Sequence, residues 1–370
     1  MNIIYILQVS SHARYWRRID NLGSLGIKST VFAFEREKFY EGTKKGRSYK
    51  SLGNIKQQNY IKRIIPLIKS ISIIKNEIGN ADVIYSFGMD TFIIGWLATL
   101  FKSNKPKFVY EVGDIRTVFT NEGVISKIFK FIERLILKKS DLLVVTSEAY
   151  IQGYFEEIQK VSNLNYHVIE NKPELNINFS NVNTNKNKKN QRIRIGYFGV
   201  LRCRRTFEIL RKLIKEHGDR FELYVRGIVT EGKDIVDEIK LLDNVKIEGE
   251  YKVPDDLPSM YDQVDIIWAC YPYMGEQISN WMWAKTTRFY EACYFKTPMI
   301  TLEGSQDSYY VKEKGIGIEL DLSNKNLAVK QLSELSMQQI EEMTNSYEKV
   351  SPDVYTYGRE HQELIEKLKN

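Results

Sequence analysis

Residues 264–304 read V-D-I-I-W-A-C-Y-P-Y-M-G-E-Q-I-S-N-W-M-W-A-K-T-T-R-F-Y-E-A-C-Y-F-K-T-P-M-I-T-L-E-G. Two short apolar runs, 264–270 and 298–302, have the length and residue types of strands buried on both faces. Between them lie a polar, aromatic loop and a helical segment, 286–294, with Arg288 and Glu291 in its first turns. Strand, loop, helix, strand is a βαβ unit. In open parallel sheets, ligands sit in the crevice beyond the carboxyl ends of the strands. Arg288 and Glu291, three residues apart, share a helix face that this geometry turns toward the crevice.

Working outward, the same alternation covers the chain. Strands are expected at 2–8, 29–34, 81–86, 107–112, 142–146 and 166–169, and helices at 14–25, 88–101, 125–139 and 147–158. Gly26 closes the first helix in the usual C-terminal position. The segment 44–58 is polar and basic and reads as an exposed loop. The segment 60–78 reads as an amphipathic helix that Pro66 kinks or starts. Residues 173–191, which include N-V-N-T-N-K-N-K-K-N-Q, have no periodicity and read as a linker. A second series then opens with R-I-R-I-G-Y-F-G-V-L-R-C-R-R-T-F-E-I-L-R-K-L from Arg192. Its layout echoes N-I-I-Y-I-L-Q-V-S-S-H-A-R-Y-W-R-R-I-D-N-L from Asn2. Strands follow at 221–226, 245–249, 266–270, 299–302 and 316–319. The closing helices are 336–343, where Ser336 and Gln339 have the form of a capping box, and 357–369. The expected fold is therefore α/β, with two Rossmann-like, doubly wound parallel-sheet domains facing across a cleft. The first domain is 1–172, the linker 173–191 and the second domain 192–345; a C-terminal helical segment, 346–370, crosses back to the first.

A chain of 370 residues suits two domains. Its 43% apolar and 27% charged content is that of a soluble globular protein. Cys203, Cys270 and Cys293 lack metal-ligand spacing and leave one unpaired in any disulfide scheme, which points to a reducing compartment without structural zinc. Residues 1–9 lack a basic n-region. The longest apolar run, 91–101, has eleven residues and is too short to span a bilayer. Charge is uneven: residues 1–165 carry 25 Lys+Arg against 15 Asp+Glu, a net +10, and residues 166–370 carry 29 against 32, a net −3. The first half is thereby suited to an anionic partner. Nucleic acid fits poorly, since the basic charge is spread over helices without an aromatic-rich strand platform.

Gly199-Val200-Leu201-Arg202-Cys203-Arg204-Arg205 falls between a buried strand and a helix start. Unpaired N–H groups and a partial positive charge at a helix N-terminus suit a phosphate, and the arginines add fork-shaped donors. Neither G-x-x-x-x-G-K-[ST] nor G-x-G-x-x-G occurs, which argues against a hydride-transfer enzyme.

Phe289-Tyr290-Glu291-Ala292 followed by Lys296-Thr297-Pro298-Met299-Ile300 resembles the "(L/F)-(Y/F)-E-A…G-(K/T)-P-(V/M)-I" segment of GT-B glycosyltransferases, chiefly the retaining family 4. Further pieces follow in the family's order along almost the whole chain. Tyr110-Glu111-Val112-Gly113-Asp114 resembles "Y-D-x-H-D", and residues 141–147 its "A-D-x-V-I-x-x-S" strand. Ile169-Glu170-Asn171 resembles "I-P-N-G", residues 245–251 "V-x-F-x-G-x", and residues 257–267 "L-x-x-x-Y-x-x-A-D-V". The resemblance implies transfer of a sugar from a nucleoside diphosphate sugar to a glycan or lipid-linked acceptor, with retention, in bacterial surface polysaccharide synthesis. It implies Gly199, Arg202, Arg205, Lys285 and Arg288 around the donor diphosphate, and Arg226, Gly249, Tyr251 and Glu291 around the nucleoside. His12 and Arg14 fall on the acceptor side. No metal or other cofactor is implied, in keeping with the absence of a D-x-D motif.

The sequence also departs from the family pattern. Trp283 stands where the first of two glutamates eight apart is expected, which leaves Glu276 as the catalytic candidate there. Val200 replaces the arginine after the glycine, and Gly113 replaces the histidine of the first domain. Asp114, at a strand end, is placed to contact the acceptor hydroxyl or the donor sugar, or to cap the turn at Ile115. Trp281 and Trp283 are placed to stack on a sugar or to fill a core. The basic helix 125–139 and the region from Lys62 to Lys75 are expected to hold the chain at the inner, anionic face of the cell membrane, or to pack their apolar faces inward. A sugar-nucleotide epimerase of the same fold and a non-catalytic partner module are the alternative functions.

Overall fold

A computed structural model describes residues 1–35, 46–55, 60–175, 192–275 and 277–369, without the side chains of 60–64. The chain forms two compact units: Met1–Asn171 with Gly358–Asn370, and Lys172–Tyr357.

In the first unit the chain runs β1 (Asn2–Leu7), α1 (Ala13–Ser24), β2 (Lys28–Glu35), β3 (Lys50–Asn54), α2 (Tyr60–Glu77), β4 (Val83–Phe87) and α3 (Met89–Ala98). It continues through β5 (Lys107–Val112), α4 (Thr117–Thr120), α5 (Val124–Leu137), β6 (Leu142–Val145), a π-helical turn at Ile151–Glu156, and β7 (Tyr166–Val168). All strand pairs are parallel, in the order β3-β2-β1-β4-β5-β6-β7. The chain builds outward from β1, returns, and continues on its other side, so the β1/β4 gap is the switch point. The β-branched and aromatic runs in β1, β4 and β6 are buried on both faces, as helices on both sides of a parallel sheet require.

The second unit repeats this plan with β8 (Ile193–Leu201), α6 (Arg204–His217), β9 (Phe221–Val229), α7 (Lys233–Ile239), β10 (Val245–Glu248), α8 (Leu257–Asp262) and β11 (Ile266–Trp268). It continues through α9 (Thr287–Phe295), β12 (Met299–Leu302), α10 (Gln306–Lys314), β13 (Gly317–Leu320), α11 (Lys325–Ser333) and α12 (Met337–Asn345). Its parallel order is β10-β9-β8-β11-β12-β13, with the switch point between β8 and β11. Two apolar clusters fill the opposite faces of this sheet, one around Ile195, Phe207 and Trp268, the other around Phe198, Tyr261 and Tyr290. The capping box holds: the Ser336 side chain accepts from Gln339 N–H, and the Gln339 side chain accepts from Ser336 N–H.

The closing segment divides at Gly358, and α13 (Glu360–Lys369) belongs to the first unit. It buries His361, Leu364, Ile365 and Leu368, and the His361 ring meets Arg18 at 2.9 Å.

Several elements depart from the sequence reading. The expected loop 44–58 contains an edge strand, β3. Only Leu52 in it is buried, so no alternating pattern marks the strand, and its pairing comes from the β2 backbone. Helix α2 begins at Tyr60 and continues through Pro66, because one missing N–H does not end an otherwise bonded helix. The segment after Ser147 winds as a π-turn. Strand β8 runs to Leu201, so Gly199-Val200-Leu201 is strand, not loop. Residues 176–191 of the expected linker lie outside the described residues. Leu175, just before them, is buried against the second unit, where its carbonyl accepts from Tyr294 Oη at 2.6 Å.

Candidate functional site

In the second unit, three glycines line up at the carboxyl ends of β8, β9 and the segment after β10. Gly199 pairs with Gly227 in register, and Gly227 N–H donates to Gly249 O at 3.0 Å. Gly199 and Gly227 have φ of +107° and +140°, a region that only glycine adopts without strain. A Cβ on Gly227 would overlap the Gly199 carbonyl. A Cβ on Gly249 would meet nothing within 4 Å, and one on Gly199 only Tyr251 Oη at 3.8 Å. The edge is bare backbone, open at Gly199 and Gly249, as a ligand's close approach requires.

Arg288 bridges the adjoining switch point. From α9 its Nη1 donates to Phe198 O at 2.9 Å and its Nη2 to Cys270 O at 3.4 Å, which ties the ends of β8 and β11 together. Thr286 caps this helix, its hydroxyl accepting from Phe289 N–H at 3.0 Å. Glu291 is 3% exposed and accepts from Tyr261 Oη at 3.0 Å, while Tyr261 stacks on Phe295 at 4.5 Å.

The arginines before and in α6 divide by partner. Arg204 is committed to Asp234, through two bonds of 2.9 Å, and to Glu208 at 3.4 Å. Arg205 lies 5.2 Å from the Tyr273 ring centre and reaches Ser323 O at 3.4 Å. Arg202 is exposed, with no hydrogen bond or ion pair among the described residues. Between them Cys203 Sγ accepts from Thr206 N–H and Tyr273 N–H, both at 3.4 Å, which fixes the loop after β11 to the helix start. Arg226 is held by Asp256 at 3.1 Å and Glu248 at 3.6 Å, so its guanidinium serves these carboxylates. Lys285 stands 5.3 Å from the Phe289 ring centre. Trp283 is buried, which makes the position of the missing glutamate a packed one. Glu276 lies outside the described residues. Among those residues, no group of three or more His, Cys, Asp or Glu side chains is arranged to hold a metal ion.

Asp307, which the sequence reading did not single out, is buried beside the start of α9. Both its oxygens accept from Thr286 N–H at 3.1 Å. Burial pushes its carboxyl from 3.8 up to about 7, against the pull of the Thr286 hydrogen bonds. A carboxyl raised on folding stabilises below its unfolded pKa, and that contribution is lost as pH rises through the folded value. Wild type should therefore lose stability relative to Asp307→Asn between about pH 4 and pH 7, approaching about 4 kcal/mol in the limit. Urea midpoints for both proteins at pH 4.5 and 7.5 test this; equal differences at the two pH values would refute it.

In the first unit a cavity of about 710 Å³ lies at the β1/β4 switch point, within the range of small-molecule sites. Gln8, Val9, Phe87, Val112 and Gly113 line it from the strand ends, and helices α2, α3 and α5 supply apolar side chains. Arg14 and Asp114, both candidates from sequence, meet here, with Arg14 Nη1 3.8 Å from Asp114 Oδ2 and Nε 3.7 Å from Glu111 Oε1. A Cβ on Gly113 would overlap the Arg14 guanidinium. Gly113, which stands where the resemblance expects a histidine, thus makes room for an arginine from another element. Glu111, fully buried, also takes Arg18 Nε at 3.2 Å and Tyr85 Oη at 2.5 Å. His12 stacks on Tyr15 at 4.5 Å and also lines the cavity. Glu133 lines it from α5, its carboxyl pushed up by burial although Tyr154, Tyr110 and Gln159 all donate to it.

No family model matches the chain. The succinoglycan biosynthesis protein ExoL of Rhizobium meliloti is 24% identical over 330 residues, which span 87% of this chain and 81% of ExoL. Anabaena HepE, solved in complex with UDP, aligns over 100% of both chains with a TM-score of 0.69 and 14% identity. WaaG, a glycosyltransferase involved in lipopolysaccharide biosynthesis, aligns over 100% of both chains with a TM-score of 0.68 and 13% identity.

The fold is that of GT-B glycosyltransferases. On this GT-B framework, the sequence reading missed Asp307, Tyr261, Glu133 and the Arg18–Glu111 pair. Each acts through burial and long-range contact, and single buried polar residues leave no periodic signal. The Gly113 departure was a visible clue, but nothing local named Arg14 as the group that fills the gap.

Proposed function

We propose that this protein transfers a sugar from a nucleoside diphosphate sugar to a glycan or lipid-linked acceptor in the assembly of a bacterial surface polysaccharide. The second unit takes the donor and the first the acceptor. The observation that carries the reading is the bare edge Gly199–Gly227–Gly249 next to the switch point that Arg288 bridges, with Arg202 and Arg205 following β8 in the chain. Backbone groups there are open to a ligand, and Arg288, held by Phe198 O and Cys270 O, is a cation fixed at the adjoining strand ends. Departing diphosphate is the developing charge in glycosyl transfer, so cations held in place there lower the barrier as well as tighten binding. The ExoL likeness and the GT-B fold support the same reading. Glu291 meets the nucleoside ribose, and Asp114 meets the acceptor hydroxyl. Transfer proceeds with retention and without a metal.

HepE has been solved with UDP-glucose, which makes uridine donors the first to test. A thermal-shift panel of UDP-, GDP-, ADP- and TDP-sugars should give one clear stabiliser, since a ligand at a hundred times its Kd adds about 2.7 kcal/mol. Glu291→Ala and Arg205→Ala should each weaken that hit at least about tenfold. Variants that shift like wild type would overturn the donor-site assignment.

We also propose that the enzyme works at the cytoplasmic face of the cell membrane. Support comes from α5. Val124, Ile128, Phe131 and Leu135, at helical spacing, are 74%, 52%, 57% and 46% exposed. Lys127, Lys130, Arg134 and Lys138 lie among them. Among the described residues no helix is long and apolar enough to cross a membrane.

A further inference from the structure

We infer that the cavity of the first unit binds the lipid portion of an amphiphilic acceptor, its chain against α2, α3 and α5 and its phosphate at Arg14. The inference rests on the acceptor role proposed for this unit and specifies the chemistry of what binds there.

Two independent observations carry it. The first is the lining. Leu67, Ile71, Ile93, Leu97, Val118 and Ile132 give the helix side of the cavity an apolar wall, unlike a site built for a free sugar, which hydrogen-bonding groups would line. Ile68 also lines the cavity while being 61% exposed, so the apolar wall continues onto the outer surface of α2. A chain that enters there can leave the cavity along an apolar path.

The second is Arg14. Its side chain is only 10% exposed, it lines the cavity, and it makes no hydrogen bond among the described residues. Its Nε and the facing Glu111 Oε1 are both buried without a hydrogen-bond partner. Its two ion pairs, at 3.7 and 3.8 Å, are longer than hydrogen bonds. A buried guanidinium with its donors unspent is costly unless something completes it. The bidentate fork matches a phosphate. Glu111 is balanced by Arg18 at 3.2 Å, and Asp114 is 65% exposed and screened by solvent. Gly113 keeps the guanidinium in place, since any side chain there would displace it.

The test uses the full chain and alkyl phosphates below their micellar concentrations, followed by calorimetry, with UDP binding measured in parallel. Dodecyl phosphate should bind one molecule per chain and inorganic phosphate at least about a hundredfold more weakly. From octyl to dodecyl, each two methylenes should tighten binding by about tenfold until the cavity is full. Arg14→Gln should weaken dodecyl phosphate at least about tenfold and leave dodecyl maltoside unchanged. Ile71→Trp, which fills the cavity, should weaken both. Ile125→Ser/Phe131→Ser, on the outer face of α5, should weaken neither.

Chain-length independence, or wild-type binding by Ile71→Trp, would overturn the inference, as would loss of the bound molecule in the α5 variant. Equal effects of Arg14→Gln on the phosphate and the maltoside would overturn the role given to Arg14. Far-UV circular dichroism and a urea midpoint like those of wild type, with the tyrosine and tryptophan signal of the first unit followed, show for each variant that the mutated unit is folded. If UDP binds and dodecyl phosphate does not, this inference fails and the donor reading stands; if UDP fails to bind, the donor reading fails on its own.

Discussion

Gly227→Ala is expected to destabilise the second unit by more than about 4 kcal/mol, enough to abolish soluble folded protein. Two costs add. The residue sits at φ +140°, where an L side chain is strained by about 1–3 kcal/mol. The new Cβ would also overlap the Gly199 carbonyl, which is backbone in a paired strand and cannot rotate aside. Relief requires parting β8 from β9, whose register runs from Ile193↔Phe221 to Leu201↔Val229. Gly249→Ala is the matched control: its Cβ meets nothing within 4 Å, so stability should change by less than about 0.5 kcal/mol. That methyl group would stand over the proposed donor edge, so nucleotide affinity should fall while the midpoint of unfolding stays. Unfolding of Gly227→Ala within about 1 kcal/mol of wild type would show that the strand ends are not packed as described.

The triple variant Ile128→Ser/Phe131→Ser/Leu135→Ser should lower partition onto anionic vesicles roughly a hundredfold at low salt. Each side chain is about half exposed and gains about 1 kcal/mol on entering the interface, and each 1.4 kcal/mol is tenfold. Replacing Lys127 and Lys138 by Gln should instead remove the salt-sensitive part of binding, about 1 kcal/mol per charge. Because the three apolar side chains are exposed in the folded chain, the substitutions should leave the urea midpoint nearly unchanged. Vesicle flotation together with urea unfolding separates the two effects. A triple variant that floats like wild type would remove the membrane proposal.

Helix α5 also shows where sequence reading stops. Its basic, amphipathic pattern was legible, and two placements were open: apolar face inward or outward. The structure buries Ser126, Glu133, Ile136 and Leu137 and exposes the stripe from Val124 to Leu135. Periodicity records that a helix has two faces but not which one meets the sheet. That choice depends on Tyr110, Tyr154 and Gln159, which come from other elements and satisfy the Glu133 carboxylate. The arginines after β8 make the same point. Three were visible as a cluster, yet Arg204 is spent on Asp234, a partner thirty residues away.

The sequence by itself determined the parallel α/β character of both units, the βαβ unit around Arg288 and Glu291, and most strands. Runs buried on both faces and helical spacing are local properties, written in consecutive residues. Only the tertiary structure decided which glycines share an edge and which arginine fills the space beside Gly113. It also decided that Arg288 bridges two strand ends and that the last helix packs against α1, with His361 on Arg18. Those contacts join residues far apart in the chain, and their energies depend on burial and distance, which no stretch of sequence carries alone.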